Sequence, residues 1–137
     1  MKFNGIIEKK LRIIEENIDA IKNWKIESFQ QLKNSSLLQK ATERALQVSI
    51  EVMIDISERI LALNKLTPAN TSVENIQKLE ELGVIQSTSE YSDMIRFRNF
   101  IVHRYEKVDV EIVYSIIKNK LTLFEKFVEE IRSFNLP

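Results

Sequence analysis

The sequence predicts an all-α fold, an antiparallel up-and-down bundle of four main helices with one additional short helix. Three observations carry this expectation. Only two glycines and two prolines punctuate 137 residues, which favours a few long helices over many short strands. Apolar residues recur at steps of three and four over long runs, the spacing of one face of an α-helix. Between those runs stand short polar stretches with N-cap and C-cap chemistry.

The first helix is expected from about residue 4 to the low thirties. Ile7, Leu11, Ile14, Ile18 and Ile21 draw its apolar stripe, and Glu8, Lys9, Arg12 and Glu15 occupy its other faces. The stretch "KNSS" then offers a turn and an N-cap. The second helix, from about Leu37 to Leu63, carries Ala41, Ala45, Val48, Val52, Ile56, Ile60 and Leu63. A second edge with Leu46, Ile50, Met53 and Ile54 widens that stripe beyond what one partner helix covers. After "NKLTPANTS", Thr71 with Glu74 three residues on reads as a capping box for a short helix. That helix should reach Leu82 and stop at Gly83, where glycine suits a left-handed backbone. Ser87 and Glu90 repeat the capping spacing for a fourth helix. Asp109 caps a fifth, with Ile112, Ile116, Leu123, Phe127, Ile131 and Phe134 along its apolar face. The whole chain, 1–137, is expected to form one domain, since its length leaves no room for a second.

Composition removes several function classes. There is no cysteine, hence no disulfide framework, thiolate nucleophile or cysteine-bound zinc. A single histidine excludes a multi-histidine metal site within one chain. Lys plus Arg and Asp plus Glu balance at 20 each, so a polyanion site has to be a local patch and not a property of the whole surface. No run approaches the roughly 20 apolar residues of a membrane span, and the N-terminal stretch lacks the apolar core of a signal peptide. A cytoplasmic protein without membrane contact is the expectation.

One stretch stands apart: "RFRNFIVHRYEKVD", residues 96–109, which places the only histidine among arginines. Arg96, Arg98, Arg104 and Lys107 face only Glu106 across residues 96–107, a cationic excess suited to phosphate. Cations near a helix C-terminus also complement its dipole, so the same residues fit a purely structural role. Arg98 and His103, five residues apart, are separated by about 140° on a regular helix. Near the helix end, a long arginine and an imidazole can still converge on one ligand. Asn99 and His103 share a face at i and i+4, so Asn99 can orient the ring or touch a bound group. Glu51 and Asp55, one turn apart, fit a shared metal or a contact with Arg98. A solvated edge or a structural ion pair with Arg44 or Arg59 is the simpler reading. Trp24, Phe97 and Phe100 sit in amphipathic patterns and read as core or dimer contacts rather than base-stacking platforms.

Arg98-Asn99-x-x-x-His103-x-Tyr105, followed by Val108 and Asp109, resembles the RX4HXY motif of the HEPN superfamily, in particular the HepT-like toxins. The segment "ERALQVSIEVMIDISERIL", residues 43–61, is similar to the long second helix of that family, and the resemblance spans essentially the whole chain. Arg104 stands where the family often has a small residue. The resemblance implies a homodimer whose motifs face one cleft, so that two imidazoles and two guanidiniums surround one groove. It implies a toxin of a toxin-antitoxin pair, an endoribonuclease that needs no metal or other cofactor, with Arg98 and His103 catalytic. Asn99, Arg96 and Arg104 would support them or hold RNA. It further implies that an MntA-like nucleotidyltransferase silences the toxin by adding AMP to Tyr105. An alternative from another class is a noncatalytic subunit that holds a nucleotide for such a transferase. A third is a helical dimer whose basic strip only caps a helix end.

Overall fold

The computed structural model describes residues 5–103 and 109–134, with side chains for all of these except 101–103. Among the described residues the chain forms helices and turns: α1 (Gly5–Asn23), α2 (Phe29–Lys33), α3 (Ser36–Leu63), α4 (Ser72–Glu81), α5 (Ser89–His103), α6 (Val110–Asn119) and α7 (Leu121–Ser133). The expected four-helix bundle stands, with α1, α3, α5 and the α6–α7 pair as its members. Cross-links between side chains fix the directions. Lys10 of α1 pairs with Asp55 of α3, and Lys22 and Arg132 join opposite ends of α1 and α7 through Glu125 and Glu8. Tyr91 near the start of α5 meets Glu130 near the end of α7. Neighbours therefore run antiparallel.

The first predicted helix is broken. Lys25 adopts φ 52°, which ends α1 at a non-glycine residue and turns the chain. Ser28 then caps α2 by accepting from Gln31 N at 3.1 Å. Gln31 reciprocates, accepting from Glu27 N at 2.9 Å and donating to the Lys25 carbonyl at 3.1 Å. The last predicted helix is also broken, at Lys120, whose φ of −125° and ψ of 4° are not helical. Its N–H still closes on the Ile116 carbonyl at 2.8 Å.

Other boundaries follow the caps that were read from sequence. Ser35 accepts from Leu38 N at the start of α3. Thr71 accepts from Glu74 N at the start of α4, and Gly83 ends it at φ 79°. There Val84 N reaches the Leu79 carbonyl and Gly83 N the Glu80 carbonyl, the paired bonds of a Schellman cap. The fourth helix starts later than Ser87 suggests. Ser92 N bonds the Thr88 carbonyl, while the Thr88 hydroxyl donates to Glu80, so the hydroxyl ties α5 to α4 instead.

The core is continuous. Ile7, Leu11, Ile14, Ile18 and Ile21 are buried as expected, against Leu46, Ile50, Met53, Ile56 and Ile60 of α3 and Phe124, Phe127 and Ile131 of α7. On α3 the second edge is the better buried one: Ala41, Val48 and Val52 are only half-buried and Leu63 is exposed. Hydroxyls inside α3 are satisfied locally, Thr42, Ser49 and Ser57 each donating to the carbonyl four residues back at 2.8 Å. Buried Gln39 donates to the Leu32 and Lys33 carbonyls, closing the end of α2.

Candidate active site

Helix α5 carries Arg98, Asn99 and His103 of the motif. Tyr91, Met94, Ile95 and Phe97 are buried and seat the helix in the bundle. Arg98 lies one turn beyond Met94 on the inward side. It is half-buried, and its Nε is buried with no hydrogen-bond partner. No carboxylate among the described residues lies within ion-pair distance of its guanidinium. A buried guanidinium nitrogen without an acceptor is costly, and such a group calls for an explanation. An anionic ligand supplies one.

His103 is the last residue of α5, and its side chain lies outside the described residues. So do Arg104 and Tyr105. Asn99, one helical turn before His103, is exposed and available to a ligand. Arg96 is exposed and pairs with Asp93 at 2.8 Å; a solvent-exposed pair of this kind is weak and exchangeable. Asp109, as read from sequence, caps α6 by accepting from Glu111 N at 2.9 Å. The end of α5 and the start of α6 therefore bracket residues 104–108.

The carboxylates on α3 take the structural role. Asp55 bonds both Lys10 and Arg59. Burial acts to raise its pKa, but the two cations outweigh it and hold the carboxyl below its ordinary value. Glu51 accepts from Gln47 at 3.1 Å. Among the described residues no cluster of three acidic or histidine side chains forms around them, and neither meets Arg98. Arg59 was foreseen as a partner of Asp55; Lys10, 45 positions away in the chain, was not. Phe97 is buried, and Trp24 and Phe100 are half-buried, as their packing role required.

Sequence reasoning missed a groove beside the motif. Met94, Phe97 and Ile116 line it with Asp93, Asp109, Glu111, Ile112, Ser115 and Lys120. Ile112, expected on the buried face, is 41% exposed. Its signal was the position itself, third in α6, where the helix has just left the segment after the motif.

Comparison with known proteins agrees with this architecture. Residues 14–131 match the family described as ribonuclease HepT-like. A tRNA nuclease HepT from Aphanizomenon flos-aquae is 31% identical over 94% of this chain and 89% of its own. An mRNA nuclease HepT from Shewanella oneidensis is 28% identical over 95% of this chain and 98% of its own. In three dimensions the fold is similar to the tri-AMPylated HEPN toxin of Shewanella oneidensis in complex with MNT antitoxin. That match has a TM-score of 0.88 and 26% identity, covering 96% of this chain and 100% of that one. With the bundle, the motif on α5 and these matches together, the chain belongs to the ribonuclease HepT-like family, within the HEPN toxins.

Proposed function

We propose that the protein is the toxin of a toxin-antitoxin pair, a single HEPN-like domain that cuts RNA in the cytoplasm without a metal ion. The observation that carries this reading is Arg98: an arginine drawn into the edge of the bundle, with Nε unpartnered, five residues before the only histidine. Family membership supplies the reaction class, and the curated relatives act on tRNA and mRNA.

In a two-fold dimer the single cleft receives two copies of Arg98 and His103, one from each protomer. One imidazole removes the proton from an RNA 2'-hydroxyl, whose oxygen attacks the adjacent phosphorus. The P–O5' bond breaks, and the second imidazole protonates the leaving oxygen. Products are a 2',3'-cyclic phosphate and a free 5'-hydroxyl. Arg98 neutralises the charge that grows on the non-bridging oxygens. Asn99 orients an imidazole, and Arg96 and Arg104 hold flanking phosphates.

Tyr105 is the control point. A nucleotidyltransferase partner of the MNT type transfers AMP from ATP: the phenolic oxygen bonds the α-phosphorus, the bond to the β-phosphate bridge breaks, and pyrophosphate leaves. The phenolic proton passes to solvent. The added phosphate and nucleoside set negative charge and bulk two residues from His103, where RNA phosphate has to bind.

The test is incubation of purified dimer with total cellular RNA in EDTA, beside Arg98→Ala and His103→Ala. Cleavage by the wild type alone is expected. Undiminished cleavage by either variant removes the role assigned to that residue. No cleavage by unmodified wild type favours the noncatalytic nucleotide-binding subunit.

A further inference from the structure

We propose that the groove between α5 and α6 is the docking surface for the nucleotidyltransferase, and that it receives a basic, partly apolar segment of that partner. It rests on the reading of Tyr105 above and adds where the modifying enzyme stands.

Three features converge on that occupant. The groove encloses about 340 Å³, and its floor is apolar: Met94, Phe97 and Ile116 are 1%, 7% and 6% exposed. Ile112 stands at its mouth, 41% exposed, on a molecule whose other isoleucines on α6 are buried. A partly covered apolar floor beside an open isoleucine is a surface made for a side chain from outside.

The second feature is charge. Asp93, Asp109 and Glu111 border the groove with Lys120, and since Arg96 pairs with Asp93 the acidic excess rests on Asp109 and Glu111. An acidic rim repels RNA phosphate, so the groove is not an extension of the cleavage site. It also disfavours a second copy of this chain with the two-fold axis through the groove, which would set acidic rim against acidic rim. It fits lysine or arginine, with an apolar neighbour on the floor.

The third feature is position. Asp109 on the rim follows Tyr105 by four residues, so their Cα atoms lie within about 14 Å of one another, the span of an extended chain of that length. A transferase anchored in the groove has the target tyrosine within reach.

The experiment uses the dimer, a cognate nucleotidyltransferase of the MNT type, and two variants, Ile112→Glu and Glu111→Lys. Three quantities are read: the transferase Kd by calorimetry, AMP addition by mass, and RNA cleavage by the unmodified protein. Each variant is expected to weaken transferase binding about tenfold or more, as the loss of a central apolar or charged contact does. AMP addition should slow in step, and RNA cleavage and the melting temperature should match the wild type. Wild-type Kd in both variants overturns the proposal. Weakened RNA cleavage would assign the groove to RNA, and dissociation of the dimer would assign it to a second copy; either result also overturns it. Tyr105→Phe separates this from the reading beneath it. Tight transferase binding with AMP on a different residue refutes the role of Tyr105 and leaves the groove standing.

Discussion

Two arginines in this bundle are treated in opposite ways. Arg132 on α7 is held by two carboxylates of α1: it bonds Glu8 and Glu15 at 2.7 Å each, with a further bond to Glu15 at 2.8 Å. The Glu15 hydrogen bond, then that of Glu8, raises its pKa further. Arg98 on α5 is drawn into the protein and given no carboxylate among the described residues, with Nε left without an acceptor. The first arginine closes a seam between the ends of the chain. The second leaves its charge open, among the described residues, to an anionic ligand. A buried guanidinium nitrogen without an acceptor is retained at a cost to stability, a cost that a bound phosphate would offset.

The comparison can be broken most decisively at Arg98. Arg98→Ala should lower RNA cleavage at least about 100-fold, the scale of losing one oxyanion-stabilising donor, with no loss of melting temperature. Arg98→Lys should recover only part of the activity, roughly tenfold below wild type, because an ammonium cannot offer the planar fork of donors that a phosphate accepts. Its measurement is the same cleavage assay across a salt series.

Arg132→Ala should do the reverse. Cleavage stays at the wild-type rate, while stability falls by about 1 kcal/mol, because the network is partly exposed. For a chain of this size that is a fall of roughly 4 °C in melting temperature. The smallest effect is in pH. The hydrogen bond from Arg132 holds the Glu15 carboxyl below its ordinary value of 4.5, against a smaller opposing effect of burial. A depressed carboxyl pKa stabilises the fold above the unfolded value, and that contribution is lost as pH falls below it. Wild-type stability should therefore drop more steeply than that of Arg132→Ala in acid below about pH 4.5, read by chemical denaturation at successive pH values.

Much of the fold was legible because local chemistry decides it. Thr71, Gly83 and Asp109 end or begin helices by hydrogen bonds to residues a few positions away, and such bonds are written in short motifs. The break after Asn23 was also written, in Ser28 and Gln31, but the apolar spacing running past it conceals the cap. The break at Lys120 carries no glycine, proline or cap, so only tertiary packing explains it. On α3 the two apolar edges compete, and which one faces inward depends on where α1, α4 and α5 lie. The pairing of Lys10 with Asp55 has the same origin: it is set by the register of α1 against α3, which no local pattern records.

The candidate site divides along the same line. The identities of Arg98, Asn99 and His103 and their order on one helix were legible. That Arg98 turns inward with no acceptor for its Nε among the described residues was not, because partners come from other helices. Nor was the groove, which exists only because α6 leaves Ile112 open against α5.

The measurement that tests the central claim most directly is cleavage of one RNA, in EDTA, by wild type, Arg98→Ala and Arg132→Ala, with the new ends mapped. The account predicts 2',3'-cyclic phosphate ends from the wild type and Arg132→Ala, and intact RNA with Arg98→Ala. Equal cleavage by Arg98→Ala and wild type would contradict it.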